Sequence, residues 1–279
     1  MKEWNEKPGN TPIGSILSLE GADSIQKLSG LEKSWKQGLR ALGPAHYGKG
    51  RYALGHDQEG PLPAVGKDLL KEMDRLGLIL DMTHLCTGNF WNALEIFQGP
   101  LWASHHNCRA LVDDPRQLDD EQIKALAERG AVIGAAFDVW MVAPGWERGK
   151  TEHPNHPGAN LEGLANHVDH VCQLLGTSRH CGIGTDLDGG FGNEQSPSDM
   201  DTINDLLKFK TILEKSRHSQ NNHDGGQKSK PVEHQPNQQP KLHRTIDQES
   251  PSFYCHSITL LLSIRKLRLC NRRRYQQIR

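Results

Sequence analysis

Several short apolar segments of this 279-residue sequence end in a side chain that can bind a metal or transfer a proton. If these segments are parallel strands of one sheet or barrel, their carboxyl ends face the same rim, where the connecting loops build an active site. The sequence therefore predicts that five groups, far apart along the chain, converge on one pocket. These groups are Glu20, His46, His84, His105 and Asp186.

Part of this group has the chemistry of a zinc site. Carboxylate oxygen and imidazole nitrogen are ligands that hydrolytic zinc accepts, and Glu20, His84 and His105 supply both types. Asp186 follows the last recognisable strand, where it is the candidate residue for proton transfer as general base and acid. Asp188 is the competing choice, because alternation along a strand would point both carboxylates to the same side.

Six extended segments, alternating with helical patterns, must position these groups. Alternation of this kind predicts a parallel sheet with right-handed crossovers, either an open doubly wound sheet or a (β/α) barrel. No Walker loop or Gly-x-Gly-x-x-Gly motif follows an early strand, which favours the barrel. Asp119 and Gln122 have the spacing of a helix capping box. The predicted strands are residues 15–20, 39–46, 78–84, 101–105, 131–137 and 181–186.

The composition argues against several classes of function. With 33 Lys+Arg against 34 Asp+Glu the formal charge is -1, so nothing indicates a polyanion or a membrane surface as partner. No run reaches the roughly 18 apolar residues of a membrane span, and no signal peptide is visible. The six cysteines form no Cys-x-x-Cys pair, which argues against a disulfide scaffold or a thiolate zinc cluster. We expect a reducing, cytoplasmic location.

The charge is unevenly distributed along the chain. Residues 217–279 hold twelve Lys+Arg and four Asp+Glu within a polar stretch that lacks helix or strand periodicity. We therefore expect an N-terminal stub at residues 1–14, a partial (β/α) barrel at 15–216 and a disordered basic tail at 217–279. A basic arm that binds nucleic acid or anionic lipid is the alternative interpretation of the tail.

Four ordered motifs resemble the membrane (renal) dipeptidase family. Residues 114–118 and 130–134 also fit, so the resemblance covers roughly residues 15–216. The motifs are SLEGAD at 18–23, LDMTH at 80–84, ASHHNCRAL at 103–111 and GIGTDLDG at 182–189.

The resemblance implies a TIM-type (β/α)8 barrel that uses two zinc ions to hydrolyse dipeptides by a metal-bound hydroxide. By this resemblance, Glu20 is the carboxylate that bridges the two metals, and His84 and His105 are ligands of one zinc. Asp186 is similar to the family's proton-transfer residue. The implied function is that of a metallodipeptidase.

The resemblance also implies how a dipeptide is held. His46 is similar to the histidine that steadies the substrate carbonyl as it becomes an oxyanion. Arg116 is similar to the arginine that holds the substrate carboxylate, with Arg109 as the fallback. The expected partner is thus a small dipeptide; neither nucleic acid nor a membrane span is expected, and a homodimer is left open.

The sequence departs from the family pattern in two places. The family's first strand carries a His-x-Asp pair for the other zinc, and nothing before Ser15 supplies one. Six strands are recognisable where the barrel has eight. We therefore expect an incomplete barrel from a truncated gene product or from an altered reading frame beyond about Ser216, with one zinc or none as alternatives to two. A catalytically inactive remnant and a different amidohydrolase that uses one zinc remain as alternative functions.

Overall fold

The protein is described here by a computed structural model covering residues 14–187, 189–223 and 262–263. Strands and helices alternate along the chain as the sequence predicts. The strands are β1 (Leu17–Glu20), β2 (Leu39–Gly43), β3 (Ile79–Asp81), β4 (Leu101–Trp102), β5 (Ile133–Ala135), β6 (Cys181–Ile183) and β7 (Leu262–Ser263). The helices are α1 (Leu28–Lys36), α2 (Ala64–Leu76), α3 (Thr87–Ile96), α4 (Asp120–Glu128), α5 (Leu161–Leu175) and α6 (Leu206–His223).

The first six strands are parallel and follow one another in sequence order. β1 to β4 form one sheet, and β5 pairs with β6 in a second sheet. A parallel bridge between Ala103 and Ile133 joins the two, while β7 adds to β6 in the antiparallel direction. The fold is α/β and resembles a TIM barrel, and within the described residues the strand array does not close into a complete barrel.

The strands are shorter than predicted. β1 begins two residues after its predicted start, and β2, β3, β4 and β6 end three residues before their predicted ends, because the backbone pairing ends before the polar side chains are reached. His46, His84, His105 and Asp186 therefore each lie three residues beyond the end of a strand. Glu20 is different, since it is the last residue of β1.

The helices cover the sheet with apolar faces and end at predictable residues. Asp119 and Gln122 form the predicted capping box at the start of α4. Gly77 ends α2 with a left-handed backbone, φ 67°, which a glycine adopts at low cost. The helix faces and strands share one main apolar cluster, which includes Leu42, Leu69 and Leu164.

One histidine on a helix has a structural role. His167, on α5, is buried at 2% exposure. Its Nδ1 accepts a hydrogen bond from the backbone N–H of Cys108 at 3.0 Å, and its Nε2 lies 3.0 Å from the carbonyl oxygen of Val142. His167 thus links α5 to two loops, a role that helical periodicity does not reveal.

No helix in the described part of the chain has the length and apolar character needed to cross a membrane. α6 continues through Arg217 to His223, past the residue where the sequence analysis begins the tail. The remainder of that predicted tail lies outside the described residues, apart from β7. The division into stub, barrel and tail stays a prediction.

Candidate metal centre

Three of the predicted ligand atoms lie within contact distance of one another. Glu20 Oε1 is 3.0 Å from His84 Nε2 and 3.2 Å from His105 Nε2, and the two nitrogens are 3.3 Å apart. Although Glu20 Oε1 is buried, it has no hydrogen-bond partner of acceptable geometry among the described residues. The three side chains, from β1 and from the loops after β3 and β4, therefore aim ligand atoms at a common point.

A polar network fixes the loops that carry the two histidines. The buried carboxylate of Asp81 accepts hydrogen bonds from the backbone N–H of Thr83 at 3.1 Å and of Ser104 at 3.0 Å. The hydroxyls of Thr83 and Ser104 are 3.1 Å apart, and Ser104 Oγ lies 2.8 Å from His105 Nδ1. These contacts hold His84 and His105 on adjacent loops and leave His105 Nε2 facing Glu20.

The pKa values of Glu20, His84 and His105 do not all shift in the same direction. Burial alone would raise the pKa of Glu20, but the imidazoles of His105 and His84 outweigh it and hold the pKa well below its usual value. Burial, with a smaller contribution from Arg116, lowers the pKa of His84. Burial also acts to lower the pKa of His105, but Glu20 and Asp186 outweigh it, so that pKa is raised. An ionised carboxylate next to neutral His84 is suited to bind a cation.

Asp186 reaches the same point from β6. Its Oδ2 lies 3.9 Å from His105 Nε2. This approach is possible because Gly184 has no side chain: a Cβ there would lie 1.8 Å from the carbonyl oxygen of Ser104. Asp188, the competing carboxylate, lies outside the described residues.

His46 lies on the solvent side of the cluster. Its ring centroid is 4.6 Å from that of His84, and its side chain is exposed. Ligand atoms of His46, Glu20 and His84 all lie within 4.8 Å of one another. His46 is therefore close enough to act as a ligand as well as to contact a substrate.

The two candidate arginines lie in different surroundings. Arg116 is buried, with Nη2 donating to the carbonyl oxygen of His105 at 2.9 Å and lying 3.4 Å from His84 Nε2. Among the described residues it forms no ion pair with a carboxylate, and burial lowers its pKa. Arg109 instead donates to the backbone carbonyl of Gln117 and lies near Asp119. Of the two, Arg116 is the one beside the cluster.

Comparison with known proteins assigns the chain to a family. Residues 1–222 match the membrane dipeptidase family, peptidase family M19. The chain belongs to that family. It is similar to the dipeptidase tcpJ of Claviceps purpurea, with 27% identity over 72% of this chain and 45% of the relative.

Solved structures share the fold of this dipeptidase-family chain. The dipeptidase AC, a metallo peptidase of family M19, is 25% identical with a TM-score of 0.59, over 72% of this chain and 59% of its own. A metallo peptidase from Rhodobacter sphaeroides, bound to a phosphinate mimic of the dipeptide L-Ala-D-Ala, is 24% identical with a TM-score of 0.58. That match covers 76% of this chain and 57% of the other. The chain spans about half the length of the curated relatives it matches.

Asp138 is a buried carboxylate of this family member that the sequence did not identify as a candidate site residue. Asp138 is buried and lies three residues after β5, the same offset as the predicted groups on the other strands. Its Oδ2 accepts hydrogen bonds from Trp140 Nε1 and from Arg148, which also contacts Tyr47 in the loop after β2. Burial raises the pKa of Asp138, although Arg148 opposes it. The offset from the strand end is the signal that could have identified this residue.

His56 is a second missed residue. Its Nδ1 lies 3.3 Å from Nδ1 of His84, on the side of that ring away from Glu20. Burial and the charge of Arg116 lower the pKa of His56 to about 4. Because His56 lies in the long loop between β2 and α2, neither periodicity nor strand-end position indicates it.

Proposed function

We propose that this chain is a zinc-dependent hydrolase of dipeptides, with one zinc held by Glu20, His84 and His105. The observation that carries the proposal is the triangle formed by Glu20 Oε1 and the two Nε2 atoms, with sides of 3.0, 3.2 and 3.3 Å. Membership of the metallodipeptidase family supports the same reading.

The triangle fits zinc in both size and chemistry. Ligand atoms about 2.1 Å from a tetrahedral zinc lie about 3.4 Å from one another, close to the three observed separations. Glu20 Oε1 is buried and makes no hydrogen bond of acceptable geometry, although the two Nε2 atoms lie 3.0 and 3.2 Å away, and this supports an occupant that accepts electron pairs from all three atoms. The ligand set within the described residues thus suits one zinc.

Each remaining residue has a proposed part in the reaction. Zinc held by Glu20, His84 and His105 would polarise a carbonyl group and lower the pKa of water. Asp186, whose Oδ2 is 3.9 Å from His105 Nε2, would take a proton from the attacking water and deliver it to the departing amine. His46, on the solvent side of His84, would stabilise negative charge on the substrate carbonyl oxygen.

Arg116 is proposed to bind the carboxylate of the dipeptide. A buried guanidinium without a carboxylate partner in the described structure is costly, and a substrate carboxylate would supply that partner. Such a contact would also limit the substrates to those with a free C-terminus close to the scissile bond. This restriction is the physical basis for proposing a dipeptidase over a general amidohydrolase.

The test is zinc-dependent turnover by the purified chain. We expect hydrolysis of dipeptides such as L-Ala-D-Ala, loss of activity with a chelator, and recovery on adding zinc. Asp186→Asn should bind zinc with unchanged affinity but lose turnover, which separates chemistry from metal binding. Zinc binding without turnover in the wild-type chain would support the inactive alternative, and failure to bind zinc would contradict the proposal.

A further inference from the structure

The second ring nitrogen of His84 has a specific partner. His84 Nε2 faces Glu20 and His105, whereas its Nδ1 lies 3.3 Å from Nδ1 of His56. A neutral imidazole carries its proton on only one nitrogen. If Nε2 provides a lone pair to a metal, Nδ1 must carry the proton and requires an acceptor, which His56 Nδ1 can be.

The backbone around His56 is tied directly to the segment that follows His84. Gly55 forms an antiparallel bridge with Leu85, and the carbonyl oxygen of Leu54 accepts a hydrogen bond from the N–H of Cys86 at 3.0 Å. A Cβ at Gly55 would lie 2.3 Å from the carbonyl oxygen of His46, so only glycine allows this close approach. The position of His56 relative to His84 is therefore set by main-chain pairing.

Ring packing restricts both imidazoles further. The exposed ring of Tyr47 has centroid distances of 4.8 Å to His56 and 5.3 Å to His84. The hydroxyl group of Ser104 occupies the corresponding place for the other proposed ligand, 2.8 Å from His105 Nδ1. Both histidines thus have a polar partner at Nδ1 and direct Nε2 toward Glu20.

We propose that His56 is a positioning residue that accepts a hydrogen bond from Nδ1–H of His84 and thereby keeps Nε2 of His84 available to bind zinc. Partners of this kind orient metal-binding histidines and commonly contribute 10- to 100-fold to metal affinity. The inference rests on the metal site of the proposed function, but it does not require that the chain hydrolyse a substrate.

Two substitutions separate the hydrogen bond from the packing of the ring. His56→Phe keeps an aromatic ring beside Tyr47 but removes the acceptor. His56→Asn restores an acceptor, because the amide oxygen can occupy the place of Nδ1. His180→Phe is the matched control, since His180 lies at the other end of β6, with Nδ1 2.8 Å from the carbonyl oxygen of Ala131.

The experiment measures zinc affinity by calorimetry and the His84 tautomer by ¹⁵N NMR of the metal-free chain at mildly alkaline pH. We expect wild type, His56→Asn and His180→Phe to bind zinc equally and to keep the proton of His84 on Nδ1. His56→Phe should bind zinc about 10- to 100-fold more weakly and lose that tautomer preference.

Unchanged affinity and tautomer in His56→Phe would overturn the inference, as would failure of His56→Asn to restore them. If His56→Phe does not fold, NMR of the wild-type chain provides the test. A scalar coupling between Nδ1 of His56 and Nδ1 of His84 must then be present, and its absence would overturn the inference. Zinc affinities that follow the expected order in a chain without dipeptide turnover would reject the proposed hydrolysis and leave the role of His56 intact.

Discussion

His84 and Asp186 share a left-handed backbone conformation, with φ of 66° and 56°, and each lies three residues after the end of its strand. They are the only non-glycine residues with positive φ in the described part of the chain. This conformation costs about 1–3 kcal/mol for a residue other than glycine, although histidine and aspartate tolerate it better than most. Both residues with this strained backbone have a proposed role at the site, His84 as a zinc ligand and Asp186 in proton transfer.

The conformation of Asp186 predicts different results for two substitutions. Asp186→Asn should leave the free energy of unfolding nearly unchanged, because asparagine also tolerates the left-handed region, while kcat falls about 10²- to 10⁴-fold. Asp186→Val should lower the free energy of unfolding by about 1–3 kcal/mol, since a β-branched residue is strained there. Urea unfolding with dipeptide kinetics measures both quantities. Equal stability of the two variants would contradict the backbone argument.

Arg116 should determine the preference for a free substrate carboxylate. In wild type, a dipeptide amide should be hydrolysed with a kcat/KM about 10- to 100-fold lower than that of the dipeptide, as expected for loss of a charged hydrogen bond. Arg116→Lys should reduce this preference, because lysine cannot reproduce the planar, bidentate contact. Arg109→Lys is the control and should keep the wild-type preference. An unchanged preference in Arg116→Lys together with a reduced preference in Arg109→Lys would contradict the assignment of Arg116 to the substrate carboxylate.

His167 should make stability depend on pH. Burial lowers its pKa to about 4, against 6.5 for the free side chain, so the folded state binds fewer protons than the unfolded state between these values. Stability contributed by neutral His167 is therefore present above about pH 6.5 and is lost as the pH falls toward 4, by about 2 kcal/mol at pH 5.

The check is a comparison of His167→Gln with wild type by urea unfolding at pH 7.5 and pH 5. The variant lacks the titrating group, so its free energy of unfolding should fall less on acidification. An equal fall in the two proteins would show that His167 is not the group responsible.

Gly184 should tolerate no side chain. A Cβ there would lie 1.8 Å from the carbonyl oxygen of Ser104, so Gly184→Ala must displace backbone and should lower the free energy of unfolding by about 3 kcal/mol or more. The same substitution should move Asp186 away from His105 and reduce activity. Gly30→Ala is the matched control: in α1 a Cβ there would make only an ordinary contact, 3.9 Å from Ile25 Cγ2, and the substitution should stabilise by about 0.5–1 kcal/mol. Differential scanning calorimetry compares the two.

The strands and their alternation with helices could be predicted because the signals are local. Apolar runs separated by helical periodicity indicate a parallel α/β fold, and polar residues after the runs mark its functional rim. Glu20, His84 and His105 were found in this way, and they lie together in the structure. The strand ends were less predictable, because the backbone pairing stops three residues before His84 and Asp186, and the composition does not mark that point.

Residues whose position depends on contacts between distant loops are harder to predict from local sequence patterns. His56 reaches His84 because Gly55 pairs with Leu85, a contact between loops that no spacing rule describes. Asp138 has the expected offset from its strand, but its partner Arg148 lies in an irregular loop. Burial of His167 likewise depends on which loops fold over α5.

X-ray absorption at the zinc edge of the zinc-loaded chain reports which atoms bind the metal. We expect nitrogen and oxygen ligands at about 2.0–2.1 Å with the outer-shell scattering of at least two imidazoles. That imidazole contribution should be lost in the double variant His84→Phe/His105→Phe. A sulfur ligand at about 2.3 Å, or an unchanged spectrum in the double variant, would show that zinc is not held by Glu20, His84 and His105.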